Sequence, residues 1–201
     1  LQDHGILGPK TILGHCIHVN TAEMEIIRET DTMVVNNPES NMGNAVGISP
    51  VLQLYRHGIL LGMGTDAYTN DMLESLKVAL CSQRHNACLP NVGWCEVTDM
   101  LFKNNAKIGA RYFETPLGVL KPGAAADIIV MDYKPFTPFS DENIDGHMIF
   151  GMTGRQCQTT IANGRVLMLD RELVGVDEEV ENAHILEAAK KLWGELNHRT
   201  Y

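Results

Sequence analysis

The composition of this chain excludes several classes of protein before any motif is considered. Its 201 residues are 44% hydrophobic, which is enough for one substantial core or for one and a half domains. The formal net charge of -9 argues against nucleic acid as a partner, because proteins bind phosphate backbones with basic faces. No apolar run reaches the ~18 residues that a membrane helix needs, so we expect no membrane association.

The five cysteines predict neither a disulfide framework nor a zinc ribbon. Their number is odd, and no Cys-x-x-Cys spacing occurs among them. The repeat of seven between Cys81, Cys88 and Cys95 crosses Pro90 and Gly93, so a single helix cannot carry all three. We therefore expect reduced thiols in a cytoplasmic protein.

Three short apolar runs share one layout, and each ends in polar residues: "TILGHC", "TMVVNNP" and "GILLGMGTD". They are too short for typical helices and do not alternate with polar residues, which is typical of strands buried on both faces of a parallel sheet. Helical patterns follow each run, and the first helix has a capping-box start at Asn20 and Glu23. This order predicts parallel βα units, and three units form at most the last part of an eight-stranded (β/α) barrel.

The second part of the chain, beyond about Pro116, has the pattern of a β-rich region. A strand is predicted over residues 127–132, and two further strands flank Asn163-Gly164, the strongest short hairpin signal that a sequence offers. An amphipathic helix closes the chain. We therefore predict two domains, with residues 1–115 as the barrel part and residues 116–201 as β-strands with the C-terminal helix.

Asp66 is the first candidate for chemistry. It ends an apolar run, where a carboxylate costs several kcal/mol unless it is paired or bound to a metal. A helix cap is the alternative, although Thr69 or Asn70 lies nearer the helix that begins around Asp71 and can cap it. A phosphate cradle is disfavoured, because an aspartate there would repel the phosphate.

His15 is the second candidate, and it ends the first apolar run. If the strand continues to His15, then His15 and His18 point to opposite faces and do not chelate one ion together. A purely structural histidine is the open alternative. The carboxyl ends of parallel strands meet at one edge, so His15 and Asp66 are expected to converge, where they can bind a hydrolytic metal or relay protons.

The segment after the second run is rich in turn formers, so an ordinary polar connection is one interpretation of it. It follows a strand at the same predicted edge, however. Asn37, Ser40 and Asn41 are therefore candidates for hydrogen bonding to a small polar ligand. His147 has no partner that spacing identifies, and we expect it to be structural.

Several ordered motifs together resemble the metal-dependent amidohydrolase superfamily: "LGHCIHV", "NNPESNMGNAVGISPV", "GILLGMGTDAYTNDMLES" and "LGVLKPGAAADIIVMDY". The resemblance is strongest to the branch that contains triazine hydrolases, guanine deaminase and S-adenosylhomocysteine deaminase. Within it, "GTDAYTNDMLES" with "DGHMIFG" is similar to the SsnA-type aminohydrolases. The resemblance covers nearly the whole chain. It implies the last three strands and helices of a distorted (β/α)₈ barrel, then β-sandwich strands and a final helix that packs on the barrel.

The resemblance also implies roles for the candidate residues. Asp66 matches a metal ligand that takes a proton from the attacking water, and His15 matches a histidine beside the metal that polarises or orients the substrate. Ser40 and Asn41 match a loop that borders the pocket. One divalent metal ion, zinc or iron, and a small heterocyclic substrate follow from the same resemblance, as does a homo-oligomer.

The chain also departs from the family pattern. The first-strand His-x-His pair, the strand-five histidine and the glutamate near it are absent, and "CIHVN" cannot replace the pair because its histidine precedes a helix. We therefore expect a C-terminal fragment of a deaminase-type hydrolase, inactive alone. An open sheet edge and exposed apolar surface would make it self-associate. The alternatives are a non-catalytic binding or assembly module of the same fold and a chlorohydrolase, which differs only in its leaving group.

Overall fold

The computed structural model describes residues 1–199 of the chain, and these form two compact units. The first unit comprises Leu1–Ala125 together with Asp132–Cys157. The second comprises Ala126–Met131 and, of the described residues, 158–199. The division into domains after residue 115 stays a prediction.

The described residues form one sheet in each unit. The strands are β1 (Ile12–Gly14), β2 (Met33–Asn36), β3 (Leu61–Met63), β4 (Ile128–Met131), β5 (Cys157–Ala162), β6 (Arg165–Leu169) and β7 (Glu172–Leu173). The first sheet has the order β1-β2-β3, and both pairings are parallel, with Leu13, Val34 and Leu61 in register. The predicted parallel βα order is therefore confirmed for these three strands.

Helices connect and cover the strands. They are α1 (Thr21–Glu29), α2 (Pro38–Gly43), α3 (Val51–Arg56), α4 (Met72–Ala87), α5 (Trp94–Asp99), α6 (Asn105–Gly109), α7 (Ile144–Gly146) and α8 (Glu178–Asn197). Short 3₁₀ helices lie at Gln2–His4 and Gly154–Gln156, and π-helical turns at Met100–Asn104 and His147–Gly151. In residues 1–199 no helix combines the length and the apolar character needed to cross a membrane.

Two helix starts test the local capping signals. The capping box of α1 is confirmed, because the Asn20 side chain accepts from the Glu23 amide at 3.0 Å and the Asn20 amide donates to the Glu23 carboxylate at 2.8 Å. Neither Thr69 nor Asn70, the two residues that the sequence offers, caps α4. Asp71 caps it, since its Oδ1 accepts from the backbone amides two and three residues later, at 3.0 and 3.3 Å.

The segment after β2 is a short helix, α2, and not an ordinary polar connection. Proline at its first position, Pro38, has the backbone angle that a helix start requires. Four consecutive residues from Pro38 to Asn41 are buried, although three of them are polar. The sequence alone leaves this burial open, because Ser40 and Asn41 find their partners 26 positions away in the chain.

The core of the first unit surrounds β2 and β3. Met33, Val34 and Leu61 have no exposed surface, and the same holds for Leu76 and Leu80 of α4. Burial of this kind stabilises by about 1.5–3 kcal/mol for each large aliphatic side chain. The buried side chains of α4 therefore belong to the same apolar core as those of the strands.

The outer edge of β3 is not open, so the expectation of an unpaired edge is wrong on this side. Asn105 accepts from the Met63 amide at 3.0 Å and donates to the Met63 carbonyl at 2.9 Å, and Asn104 donates to the Leu61 carbonyl at 3.0 Å. A carboxamide carries the same donor and acceptor as a peptide group, so it can take the place of a neighbouring strand. The bare backbone of Gly62 makes room, because a Cβ there would lie 2.5 Å from Asn105 Oδ1.

The second unit contains the predicted hairpin and closing helix. Its sheet has the order β4-β5-β6-β7, and β5 pairs antiparallel with β6. Asn163 and Gly164 connect these strands with φ of 47° and 76°, the positive angles that a type I′ turn needs. The helix α8 has no buried residue. The arrangement of this sheet in a β-sandwich, and the packing of α8 on the barrel, stay predictions.

Candidate active site

The candidate site lies where the three parallel strands end. His15 follows β1 directly, Asn36 ends β2, and Asp66 lies three residues beyond β3. Backbone hydrogen bonds connect the residues that follow β1 and β3 to β2. The His15 amide donates to the Val35 carbonyl at 2.8 Å, and the Gly64 amide donates to the Asn36 carbonyl at 2.9 Å. The backbone thus holds the residues that follow β1 and β3 beside the end of β2.

Both outer strands end in left-handed backbone. His15 and Cys16 have φ of 66° and 46°, and Asp66 and Ala67 have φ of 53° and 55°. This region is unfavourable for residues with a Cβ, and such strain persists only where the surrounding structure enforces it. β1 ends at Gly14 and the chain turns there, so the condition that the strand continues to His15 is not met.

The turns bring the two candidate side chains together. His15 Nε2 lies 3.5 Å from Asp66 Oδ2, and the side chains are 37% and 50% exposed. Ser40 on α2 donates from its hydroxyl to Asp66 Oδ2 at 2.7 Å and accepts from the Asn44 amide group at 3.2 Å. The convergence that the strand order predicts is present, and the carboxylate is held from the side of α2.

A chain of side-chain amides orients the imidazole of His15. Asn41 Oδ1 lies 2.6 Å from His15 Nδ1, and Asn41 Nδ2 donates to Asn36 Oδ1 at 3.3 Å. Since this second bond uses the amide nitrogen of Asn41, its oxygen faces the imidazole and Nδ1 carries the proton. Nε2, the other ring nitrogen, lies 3.5 Å from Asp66 Oδ2 and 3.5 Å from Asn37 Nδ2.

The three predicted substrate-binding residues all lie around this pair. Asn41 contacts His15, Ser40 contacts Asp66, and Asn37 lies beside His15 Nε2. Their hydrogen bonds in this structure position the pair. Contact with a substrate stays a prediction for each of them.

Sequence reasoning missed two buried polar residues, one at the end of β2 and one on α2. Asn36 is 2% exposed and fixes the orientation of Asn41, and the only sequence signal is its place at the end of β2. Glu39 is 6% exposed, and its Oε1 has no hydrogen-bond partner among the described residues. Burial, and then the nearby carboxylates Glu74 and Asp71, raise the pKa of Glu39 above its ordinary value.

His147, expected to be structural, packs in an aromatic cluster away from the pair. Tyr133 Oη lies 2.6 Å from His147 Nδ1, and Thr137 Oγ1 lies 3.3 Å from Nε2. The ring of Phe139 packs edge-on at 5.1 Å between centroids. Both ring nitrogens therefore have partners, which agrees with a structural role.

The donor set suits a metal only in part. Imidazole nitrogen and carboxylate oxygen are both ligands that zinc accepts, and His15 and Asp66 offer one of each. Within residues 1–199 no group of three or more His, Cys, Asp or Glu side chains converges. Zinc sites use three or four protein ligands, so further ligands would have to come from outside the described residues.

A cavity of about 580 Å³ lies behind this edge, between α4 and residues 36–49. Its lining includes Asn36 and Asn41, together with Met42, Val78 and Cys81. Neither His15 nor Asp66 lines it. The cavity therefore adjoins the chain of side-chain amides without being lined by His15 or Asp66.

Comparison with known proteins identifies the family of this chain. A model of the Amidohydrolase family matches residues 1–167. A 5'-deoxyadenosine deaminase of Methanothermobacter thermautotrophicus is 32% identical over 206 residues, covering 98% of this chain and 45% of that protein. A 5-methylthioadenosine/S-adenosylhomocysteine deaminase of Thermococcus onnurineus is 32% identical over 177 residues, covering 86% of this chain and 41% of that protein.

The fold has a solved counterpart as well. A zinc-bound adenosine deaminase of Xanthomonas campestris superposes with a TM-score of 0.82 at 22% identity, covering 96% of this chain and 45% of that one. The chain thus spans less than half the length of the relatives that it matches. With a family match over most of its residues and two relatives above 30% identity, the chain belongs to the Amidohydrolase family.

Proposed function

We propose that the whole protein is a metal-dependent aminohydrolase, which removes an amino group from a nitrogen heterocycle by hydrolysis. The observation that carries this proposal is the His15–Asp66 pair at the ends of β1 and β3, with an imidazole nitrogen facing a carboxylate oxygen at 3.5 Å. The relatives named above are deaminases of adenosine-type compounds, which supports an aminopurine nucleoside as the substrate class. In this proposal β1, β2 and β3 are the last three strands of the barrel, and the second sheet belongs to a β-sandwich.

The residues of this chain have distinct tasks in the proposed reaction. A divalent metal at the pair would lower the pKa of the water that it binds toward ~7. Asp66 would accept a proton from the water as the oxygen adds to the ring carbon that bears the amino group, and this proton would leave with the amino group as ammonia when the C–N bond breaks. Ser40 holds the Asp66 carboxylate in one orientation through the 2.7 Å hydrogen bond.

The tautomer of His15 bears on its role. With the proton on Nδ1 held by Asn41, the lone pair of Nε2 is free to ligate a metal. This contact supports metal ligation by His15, since a metal-ligating histidine commonly donates its other ring N–H to an oxygen.

Two other functions would use the same fold. A non-catalytic binding module needs no metal, and a chlorohydrolase would release chloride in place of ammonia. The deaminase names of the relatives favour ammonia as the leaving group. A cytoplasmic location and a homo-oligomer also stay predictions.

The first test is the metal content of the full-length protein that contains this chain, wild type beside Asp66→Asn. We expect about one zinc or iron per chain in the wild type and loss of most of it in the variant, since an amide is a poorer ligand than a carboxylate. Release of ammonia from 5'-deoxyadenosine should fall by at least about a thousandfold, as expected for loss of a proton acceptor and ligand.

The matched control is Asp3→Asn, which changes an exposed carboxylate in the same unit. It should retain both metal and activity. A wild type that holds no metal and cannot be reconstituted would favour the binding module, whereas chloride release from a chlorinated ring without ammonia release would favour the chlorohydrolase. Substantial activity in Asp66→Asn would overturn the assignment of Asp66.

A further inference from the structure

Gly43, at the end of α2, is covered by the ring of Tyr68. A Cβ built on Gly43 would overlap the phenol oxygen and its ring carbon, and would lie 2.6 Å from Cε2. The φ angle of Gly43 is not positive, so its backbone conformation does not require glycine. Glycine is a poor helix former, and space for the Tyr68 ring accounts for its presence here.

The ring reaches α2 close to the point where Asp66 reaches it. Ser40 and Gly43 are three residues apart on α2, which places them on the same face about one turn apart. Ser40 donates a hydrogen bond to the Asp66 carboxylate, and the Tyr68 ring packs against Gly43. The turn after β3 brings the two together, since Tyr68 donates its amide to the Thr65 carbonyl at 3.1 Å.

Much of the Tyr68 side chain is still accessible. It is 55% exposed, although it is seated against Gly43. The Tyr68 ring packs against α2 on one part of its surface, and the rest is exposed to solvent. It lies two residues from the candidate catalytic carboxylate of Asp66. An aromatic side chain in this position is suited to stack on a flat ligand.

We propose that Tyr68 is a specificity-determining residue whose ring forms an aromatic wall for the planar heterocycle of the substrate, and that Gly43 is present to admit it. This inference rests on the proposed function and adds a residue to it. The wall would favour aromatic rings such as aminopurines over puckered, non-aromatic cyclic amides. A stacked aromatic pair of this kind changes affinity by about three- to tenfold.

The test uses the full-length protein with Tyr68→Ala, Tyr68→Phe and Gly43→Ala, and 5'-deoxyadenosine as substrate. Tyr68→Ala and Gly43→Ala should raise KM by up to about tenfold with little change in kcat, whereas Tyr68→Phe should behave like the wild type because the ring is retained. Gly194→Ala on α8 is the matched glycine control, since a Cβ there meets nothing within 4 Å. If Tyr68→Ala fails to fold by circular dichroism, Gly43→Ala carries the test.

Calorimetric titration of the same variants with adenosine separates this inference from the proposed function. Adenosine binding that weakens in Tyr68→Ala and Gly43→Ala but not in Tyr68→Phe supports the wall, even if the wild type releases no ammonia. Turnover with unchanged KM in Tyr68→Ala overturns the wall and leaves the proposed function standing. A fall in kcat with constant KM in Tyr68→Ala and Gly43→Ala would show that Tyr68 and Gly43 position Asp66. That result would also overturn the aromatic wall. Absence of both binding and turnover in the wild type overturns both proposals.

Discussion

The two units of this chain differ in how completely they bury their apolar side chains. Around the parallel sheet of the first unit, Val34, Leu61 and Leu76 have no exposed surface. In the second unit, Leu186 and Trp193 of α8 are 61% and 62% exposed, and α8 buries no residue.

The candidate site belongs to the well-packed unit. His15 and Asp66 are held there in left-handed backbone, a conformation that costs of order 1–3 kcal/mol for each such residue. Dense packing and a connected hydrogen-bond network can enforce this conformation, whereas a largely exposed sheet and helix offer less constraint. The comparison indicates that the precision of the candidate site depends on the core beneath it.

The largest expected difference between the two units concerns their apolar side chains. Leu76→Ala in the first unit should lower the free energy of unfolding by about 2–5 kcal/mol, because it leaves a cavity in the core. Leu186→Ala on α8 should change it by less than about 0.5 kcal/mol, because the side chain is exposed. Urea denaturation of both variants measures the difference. Equal losses would show that α8 is buried in the molecule as studied, for example by self-association, which light scattering would detect.

The helix caps provide a second and smaller contrast. Asp71 caps α4 and also accepts from the Gly154 amide at 2.6 Å, whereas Asp177 caps α8 through a single bond to the Val180 amide at 3.2 Å. We expect Asp71→Ala to cost about 2 kcal/mol and Asp177→Ala about 0.5–1 kcal/mol. Thermal unfolding of the two variants tests this order. A greater loss of stability in Asp177→Ala than in Asp71→Ala would contradict the inference that the cap of α8 is the weaker one.

The smallest effect concerns the pH dependence of stability at Glu39. Burial first, and then Glu74 and Asp71, raise the pKa of Glu39 above its ordinary value of 4.5. The folded protein therefore binds more protons than the unfolded chain, and stability decreases as the pH rises from about 4.5 through the raised pKa. In Glu39→Gln this part of the decrease should disappear.

Urea denaturation between pH 4 and pH 8 measures the Glu39 effect. Glu187→Gln on the exposed face of α8 is the control, and it should keep the pH dependence of the wild type. A Glu39→Gln variant whose pH profile also matches the wild type would show that burial does not disfavour the charged form of Glu39.

Local sequence signals predicted the elements whose determinants lie within a few residues. The capping box of Asn20 and Glu23 spans four residues, and the Asn163-Gly164 hairpin needs only its own positive φ angles. The order of apolar runs also predicted that His15 and Asp66 meet, because parallel strands with helical crossovers must end at the same edge. These inferences need no knowledge of which side chains contact each other across the fold.

Tertiary structure alone decided the parts that depend on residues far apart in the chain. Asn41 contacts His15 across 26 positions and so sets its tautomer, and Asn105 contacts Met63 across 42 positions and so covers the edge of β3. The burial of polar α2 and the fit of Tyr68 on Gly43 arise in the same way. No local pattern encodes these contacts, because each depends on the relative placement of two elements. That placement is set by the packing of the whole core, whereas the local backbone preferences of either segment are satisfied in many arrangements.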